Sequence, residues 1–123
     1  MTKEIGLSEI EDYIKALHCD IRWAVIEILR EGPLSTEEIR KRIVSGSNEL
    51  KPILGERHDG DNCNGHCKCG FREKFKKTTL YYHLEELQKV GIIELSSYKP
   101  SVHKKAPEKI WKLNIEKLTI RFK

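Results

Sequence analysis

At Gly91 the spacing of apolar residues changes from that of a helix to that of a strand within two positions. No other feature of this 123-residue chain narrows the possible folds as much. Before the glycine, "KKTTLYYHLEELQKVG" sets Leu80, Leu84 and Leu87 on one helical stripe, with a threonine expected to cap the start. Gly91 is expected to end that helix in a left-handed turn. After it, "IIELSSY" and "KIWKLNI" read as two strands rich in Ile, Trp and Tyr, joined by "KPSVHKKAPE". Trp111, Leu113 and Ile115 alternate with Lys112 and Asn114, so the second strand has one apolar face.

Three further helices are expected upstream. "SEIEDYIKAL" spaces Ile10, Ile14 and Leu17 along one face, with Ser8 as N-cap. "HCDIRWAVIEILREGP" restarts at a capping Asp20, carries a stripe of Ile21, Val25, Ile28 and Leu29, and stops at Gly32-Pro33. In "LSTEEIRKRI", Ser35 and Glu38 form a capping-box pattern ahead of Ile39 and Ile43, with Arg40, Lys41 and Arg42 facing outward. The tail "IEKLTIRFK" fits a helix or a strand equally well. Between about 45 and 75 periodicity disappears, and five of the eight glycines fall there. So long a stretch without regular structure in a small domain is unusual and points to function or disorder. The expected fold is mainly α with a β-hairpin. It is one winged helix-turn-helix domain over 1–123, with a cysteine-rich insertion at about 45–75.

Charge separates the two halves. Residues 74–123 hold twelve Lys/Arg against five Asp/Glu, a net of +7, while residues 1–73 carry −3. The basic half is the expected surface for a polyanion. No run of eighteen apolar residues is present and "MTKEIGLSEIEDY" does not read as a secretory signal, so the expected compartment is the cytoplasm, with no membrane partner. No glycine-rich phosphate loop occurs, and no nucleophile sits beside paired carboxylates. The chain is therefore not read as an enzyme.

"ALHCDIRWAVIEILREGPLSTEEI" together with "TTLYYHLEELQKVGIIEL" resembles the ArsR-type winged-helix transcription regulators, including their archaeal relatives. The likeness covers roughly residues 16–44 and 77–113. It rests on a compressed Asp-x-x-Arg start, Asp20 to Arg22, on the "EGPLS" corner, and above all on His83, Leu84, Leu87, Gly91, Ile92 and Ile93. Two departures stand out. The cysteine pair by which metal-sensing members bind metal is missing from "STEEIRKRI", and about thirty residues are inserted at the corner of the helix-turn-helix.

The resemblance implies a regulator that binds double-stranded DNA as a homodimer, with a recognition helix at about 77–90 in the major groove and a wing at about 96–109 on the backbone. Lys76, Lys77, Thr78, Thr79, Tyr81 and Tyr82 are the expected contacts from the helix. Lys99, His103, Lys104 and Lys105 are those from the wing. With the leucines buried, Thr78, Tyr82 and Glu85 face outward; one of the two tyrosines can instead complete the core, and His83 packs or caps rather than reading a base. The first helix, with Ile10, Ile14 and Leu17 exposed at one end of the core, is the expected dimer surface, joined by the tail. A winged-helix module that docks on protein within the transcription machinery is the alternative.

"CNGHCKCG" concentrates three of the four cysteines at 63, 67 and 69. In a reducing compartment this favours metal over disulfides. Cys63, Cys67 and Cys69 with His66, or His58 in its place, would complete a tetrahedral zinc site, although two C-x-x-C knuckles are absent. Cys19 is distant in sequence but could approach. An iron–sulfur cluster and a thiol switch stay open, the latter making the cluster the sensor of a redox- or metal-responsive regulator. A metal there would shorten the effective loop and hold the recognition helix.

Overall fold

The structure, a computed structural model, describes residues 2–45, 48–54, 75–100 and 107–122. The chain opens with a strand, β1 (Thr2–Ile5), for which the sequence carries no local signal. Ile5 is fully buried, and the chain turns directly into α1 (Leu7–Leu17). Gly6 is the N-cap and makes no side-chain cap bond, so the expected Ser8 cap is displaced into the first turn. Tyr13 and Ala16 face the core, Ile14 of the expected exposed stripe is 57% exposed, and Ile10 and Leu17 are half-buried, with Leu17 packed against the core. Tyr13 brings more apolar surface than an isoleucine, and its hydroxyl donates to the Val90 carbonyl at 2.8 Å, which satisfies its polar tip.

α2 (Asp20–Leu29) buries Ile21, Val25, Ile28 and Leu29 as expected, together with Ala24. Cys19 is its N-cap; Asp20 is the first helical residue, where a carboxylate favours the positive end of the helix dipole. The helix ends before Gly32, whose φ of 142° few other residues adopt. A two-residue strand, β2 (Leu34–Ser35), leads into α3 (Thr36–Ser45). Ser35 Oγ accepts the Glu38 N–H at 3.2 Å, as its capping-box position implies. Ile39 and Ile43 are fully buried. Arg40 does not simply face outward, because its Nε donates to the Phe75 carbonyl at 3.1 Å.

The insertion begins with ordered structure that periodicity did not signal. A 3₁₀ turn at Asn48–Leu50 runs into α4 (Lys51–Leu54), which packs against α2 and buries Leu50 and Leu54. Two leucines four residues apart form one helical contact, too short a pattern to count as a period.

α5 (Lys77–Lys89) buries Leu80, Leu84 and Leu87 completely. Its N-cap is Lys76, without a side-chain bond, and both threonines lie inside the first turn, so the expected threonine cap is absent. At the other end, Gly91 adopts φ 78°, its N–H donates to Gln88 and the Ile92 N–H donates to Leu87, which closes the last carbonyls. A Cβ at 91 would meet nothing within 4 Å, so the cost of a side chain there is conformational. Gly91→Ala is expected to destabilise the protein by about 1–2 kcal/mol in urea unfolding, and Gly91→Asn by less.

β3 (Ile93–Lys99) and β4 (Glu108–Leu113) form the expected antiparallel pair, with a register shift between Leu95 and Ser97. β2 adds a third strand, pairing Leu34 with Trp111 and Ser35 with Ile110, so β4 is central and the sheet is more than a hairpin. The tail resolves as a strand, β5 (Lys117–Ile120), in a two-stranded parallel sheet with β1. Helices α1, α2, α3 and α5 and the three-stranded sheet enclose one core in which Trp111 is 1% exposed. No helix among the described residues is long and apolar enough to cross a membrane.

Candidate nucleic-acid interface

The start of α5 is the part of the expected binding surface that the structure describes in full. Its buried leucines turn Thr78, Tyr82 and Glu85 outward, and all three are exposed. Thr79 and Tyr81 flank this stripe and are half-buried, with Tyr81 packed against the core. The two tyrosines therefore divide the roles left open by sequence: Tyr81 completes the core edge and Tyr82 is 56% exposed.

Lys76 is exposed at the N-cap. Lys77 is not a free cation. Its Nζ lies 3.5 Å from Glu108 Oε1, both side chains being less than a quarter exposed. The same carboxylate oxygen accepts the Glu37 N–H at 2.9 Å. Glu108 thus joins the N-terminal turns of α3 and α5 to the start of β4, at the last β3–β4 pair before the hairpin connection, an arrangement favoured by the positive end of α3. Sequence reasoning missed Glu108 because its two partners are distant along the chain. Lys99 reaches the same region, 3.6 Å from Glu38, in an exposed pair worth little to stability. Lys109, also missed, places Nζ 5.8 Å from the ring centroids of both Tyr81 and Trp111.

Behind the outward stripe lies a third residue whose contacts were unexpected. Arg22 is buried, and its Nη1 donates to the Lys15 and Ala16 carbonyls at 3.1 and 3.0 Å. These are among the carbonyls left open at the end of α1. Its Nε donates to His83 Nδ1 at 3.1 Å, which assigns the imidazole proton to Nε2. The guanidinium carbon also lies 5.6 Å from the Tyr82 ring centroid, and the His83 ring meets Tyr82 edge to face at 5.4 Å. Burial, and next the Arg22 charge, hold His83 below the ordinary imidazole range; the Glu86 carboxylate acts in the opposite sense. His83 packs, as expected. The Asp-x-x-Arg pattern marked Arg22 in sequence, but not as a tie between three helices.

The remaining expected site residues lie outside the described residues: His103, Lys104 and Lys105 of the wing, and Cys63, Cys67, Cys69, His66 and His58 of the cysteine cluster. Among the described residues no group of three or more His, Cys, Asp and Glu side chains is placed to hold a metal ion. Cys19 is half-buried, its Sγ 3.9 Å from His83 Nδ1.

Comparison with protein-family models, with curated proteins and with solved structures finds no match to this chain.

Proposed function

We propose that the chain is a winged helix-turn-helix DNA-binding transcription regulator of ArsR-like type. In this reading α3 and α5 are the two helices of the motif, and the β3–β4 hairpin is its wing. The observation that carries it is the division of α5 into two faces. Leu80, Leu84 and Leu87 anchor the helix in the core, while Lys76, Thr78 and Tyr82 are exposed at its start and along its first two turns. Lysine at a helix start favours phosphate, and hydroxyl groups on the adjacent turn suit base edges or backbone. Selection from a random duplex DNA pool is expected to enrich one motif, arranged as a pseudo-palindrome if the protein acts as a dimer. Failure to enrich any sequence above the input pool would remove this reading.

The homodimer is proposed through α1 and the tail, where Leu7, Ile14, Ile120 and Phe122 are exposed together with the edge of the parallel sheet. The site of action is proposed to be cytoplasmic. Zinc is the proposed metal for Cys63, Cys67, Cys69 and His66, with His58 as alternative and an iron–sulfur cluster as the second possibility. Metal analysis after mild purification is expected to give about one zinc per chain and no visible absorption. Colour would favour iron–sulfur, and metal-free protein with full duplex affinity would remove the clasp. Stripping the metal with a chelator is expected to weaken duplex binding, because a metal clasp would shorten the effective length of the insertion ahead of α5.

The second reading, a protein-docking module, is favoured by an apolar groove of about 340 Å³ lined by Leu17, Trp23, Ile26, Ile92, Leu113 and Leu118. Binding that depends steeply on salt and on the leading turn of α5 separates the two, since docking through this groove requires neither.

A further inference from the structure

We propose that Arg22 is a positioning residue for the duplex-reading helix, tying the end of α1 to His83 and supporting the Tyr82 ring so that Tyr82 meets the duplex in one orientation. This deepens the DNA-binding reading and rests on it. The geometry is specific. One buried guanidinium bonds two carbonyls of α1 through Nη1 and the α5 imidazole through Nε, and its carbon lies 5.6 Å from the ring centroid of the exposed tyrosine. A ring exposed to 56% would ordinarily sample several rotamers. Here it is bounded by a cation on one side and the His83 edge on another, which reduces the ordering that a duplex would otherwise have to impose.

The tie has one vulnerable atom. His83 Nδ1 accepts from Arg22 only while it carries no proton; a doubly protonated imidazole would oppose one donor with another and one cation with another. The groups facing His83 are Arg22 and Cys19 from the start of α2, and Tyr82 and Glu86 from its own helix; α1 contributes the Lys15 and Ala16 carbonyls through Arg22. Because folding lowers the proton affinity of His83, the unfolded chain binds the proton more readily. The stabilisation is then complete above the unfolded value of about 6.5 and is lost as pH falls through the lower folded value. Presentation of Tyr82 is lost over the same acidic window.

The test uses the duplex that wild type selects from the random pool, with poly(dI–dC) as the non-specific probe. Arg22→Lys keeps the charge but cannot bond the carbonyls and the imidazole together. It is expected to weaken the selected duplex about tenfold, the worth of one base contact, and to leave poly(dI–dC) affinity unchanged. In a Tyr82→Ala background the same change is expected to cost nothing further, since the effect passes through Tyr82. A loss shared equally by both probes, or an equal loss with and without Tyr82, overturns the positioning role and leaves the DNA-binding reading standing. Should Arg22→Lys fail to fold, His83→Gln decides. Its amide oxygen accepts from Arg22 at any pH, so its affinity is expected to hold in acid where that of wild type falls; parallel losses overturn the inference. Absence of duplex binding by wild type overturns the functional reading and this inference with it.

Discussion

Trp111→Ala is expected to remove about 3–5 kcal/mol of folding stability, the range for truncating a large buried aromatic side chain. The residue is 1% exposed on the central strand of the three-stranded sheet, opposite Leu34 on one side and Leu95 on the other. Its indole N–H donates to Thr36 Oγ1 at 2.9 Å, and Thr36 is fully buried at the start of α3. Truncation therefore opens a cavity at the point where sheet, α3 and core meet, and strips a buried hydroxyl of its donor. Small domains are stable by about 5–15 kcal/mol, so much of the margin disappears. Trp111→Phe separates the two effects. It keeps most of the apolar contact and is expected to cost about 1–3 kcal/mol, chiefly for the unsatisfied hydroxyl. Urea unfolding followed by far-ultraviolet circular dichroism reads both; a loss below about 1 kcal/mol for the alanine variant would show that the indole is not the keystone of this junction.

Replacing Lys76, Thr78 and Tyr82 together by alanine is expected to lower affinity for the selected duplex at least about 100-fold at fixed salt. Two lost contacts of the base-reading kind suffice for that factor at about 1.4 kcal/mol each, within the range of about 1–3 kcal/mol for such contacts, and the lost lysine adds to it. Folding should be nearly untouched. All three side chains are exposed, and the buried stripe of Leu80, Leu84 and Leu87 is left intact. Alanine within the helix also raises helix propensity relative to threonine and tyrosine. The change at Trp111 acts on stability, and the change at these three residues acts on the proposed surface. Lys77 is excluded from the set because its ammonium is held by Glu108, and removing it would disturb the N-terminal turn of α5 as well as any contact with phosphate. Fluorescence anisotropy with a labelled duplex measures the loss, and a thermal melt of the same sample checks the fold.

Legibility in the sequence followed the length of each signal. α2, α5 and the β3–β4 pair were readable because each repeats a pattern over two or more turns or several alternations, and the Gly91 turn because a glycine follows the last residue of such a pattern. β2 has two residues and α4 has four, too few for any period to register. β1 and β5 pair in parallel across nearly the whole chain, and neither strand carries a turn or partner signal of its own. On α1 Ile14 is exposed as expected, and what escaped was the core-facing Tyr13, whose hydrogen-bond acceptor is distant along the chain. The outward stripe of α5 followed directly from its leucines. What escaped was pairing across the fold: Glu108 with Lys77 and the Glu37 N–H, and Arg22 with two carbonyls, an imidazole and a phenol ring. Such contacts depend on how elements stack, which residue types at one position do not encode.

The proposal that α5 leads a duplex-binding face is tested most directly by titrating nitrogen-15-labelled protein with the selected duplex and following backbone amide shifts. The expected result is that the amides from Lys76 to Tyr82 and those at Tyr98 and Lys99 move most, while those of α1 and β5 change only through any dimer contact. Shifts centred on Leu17, Trp23 and Leu118, with the leading turn of α5 unmoved, would contradict it.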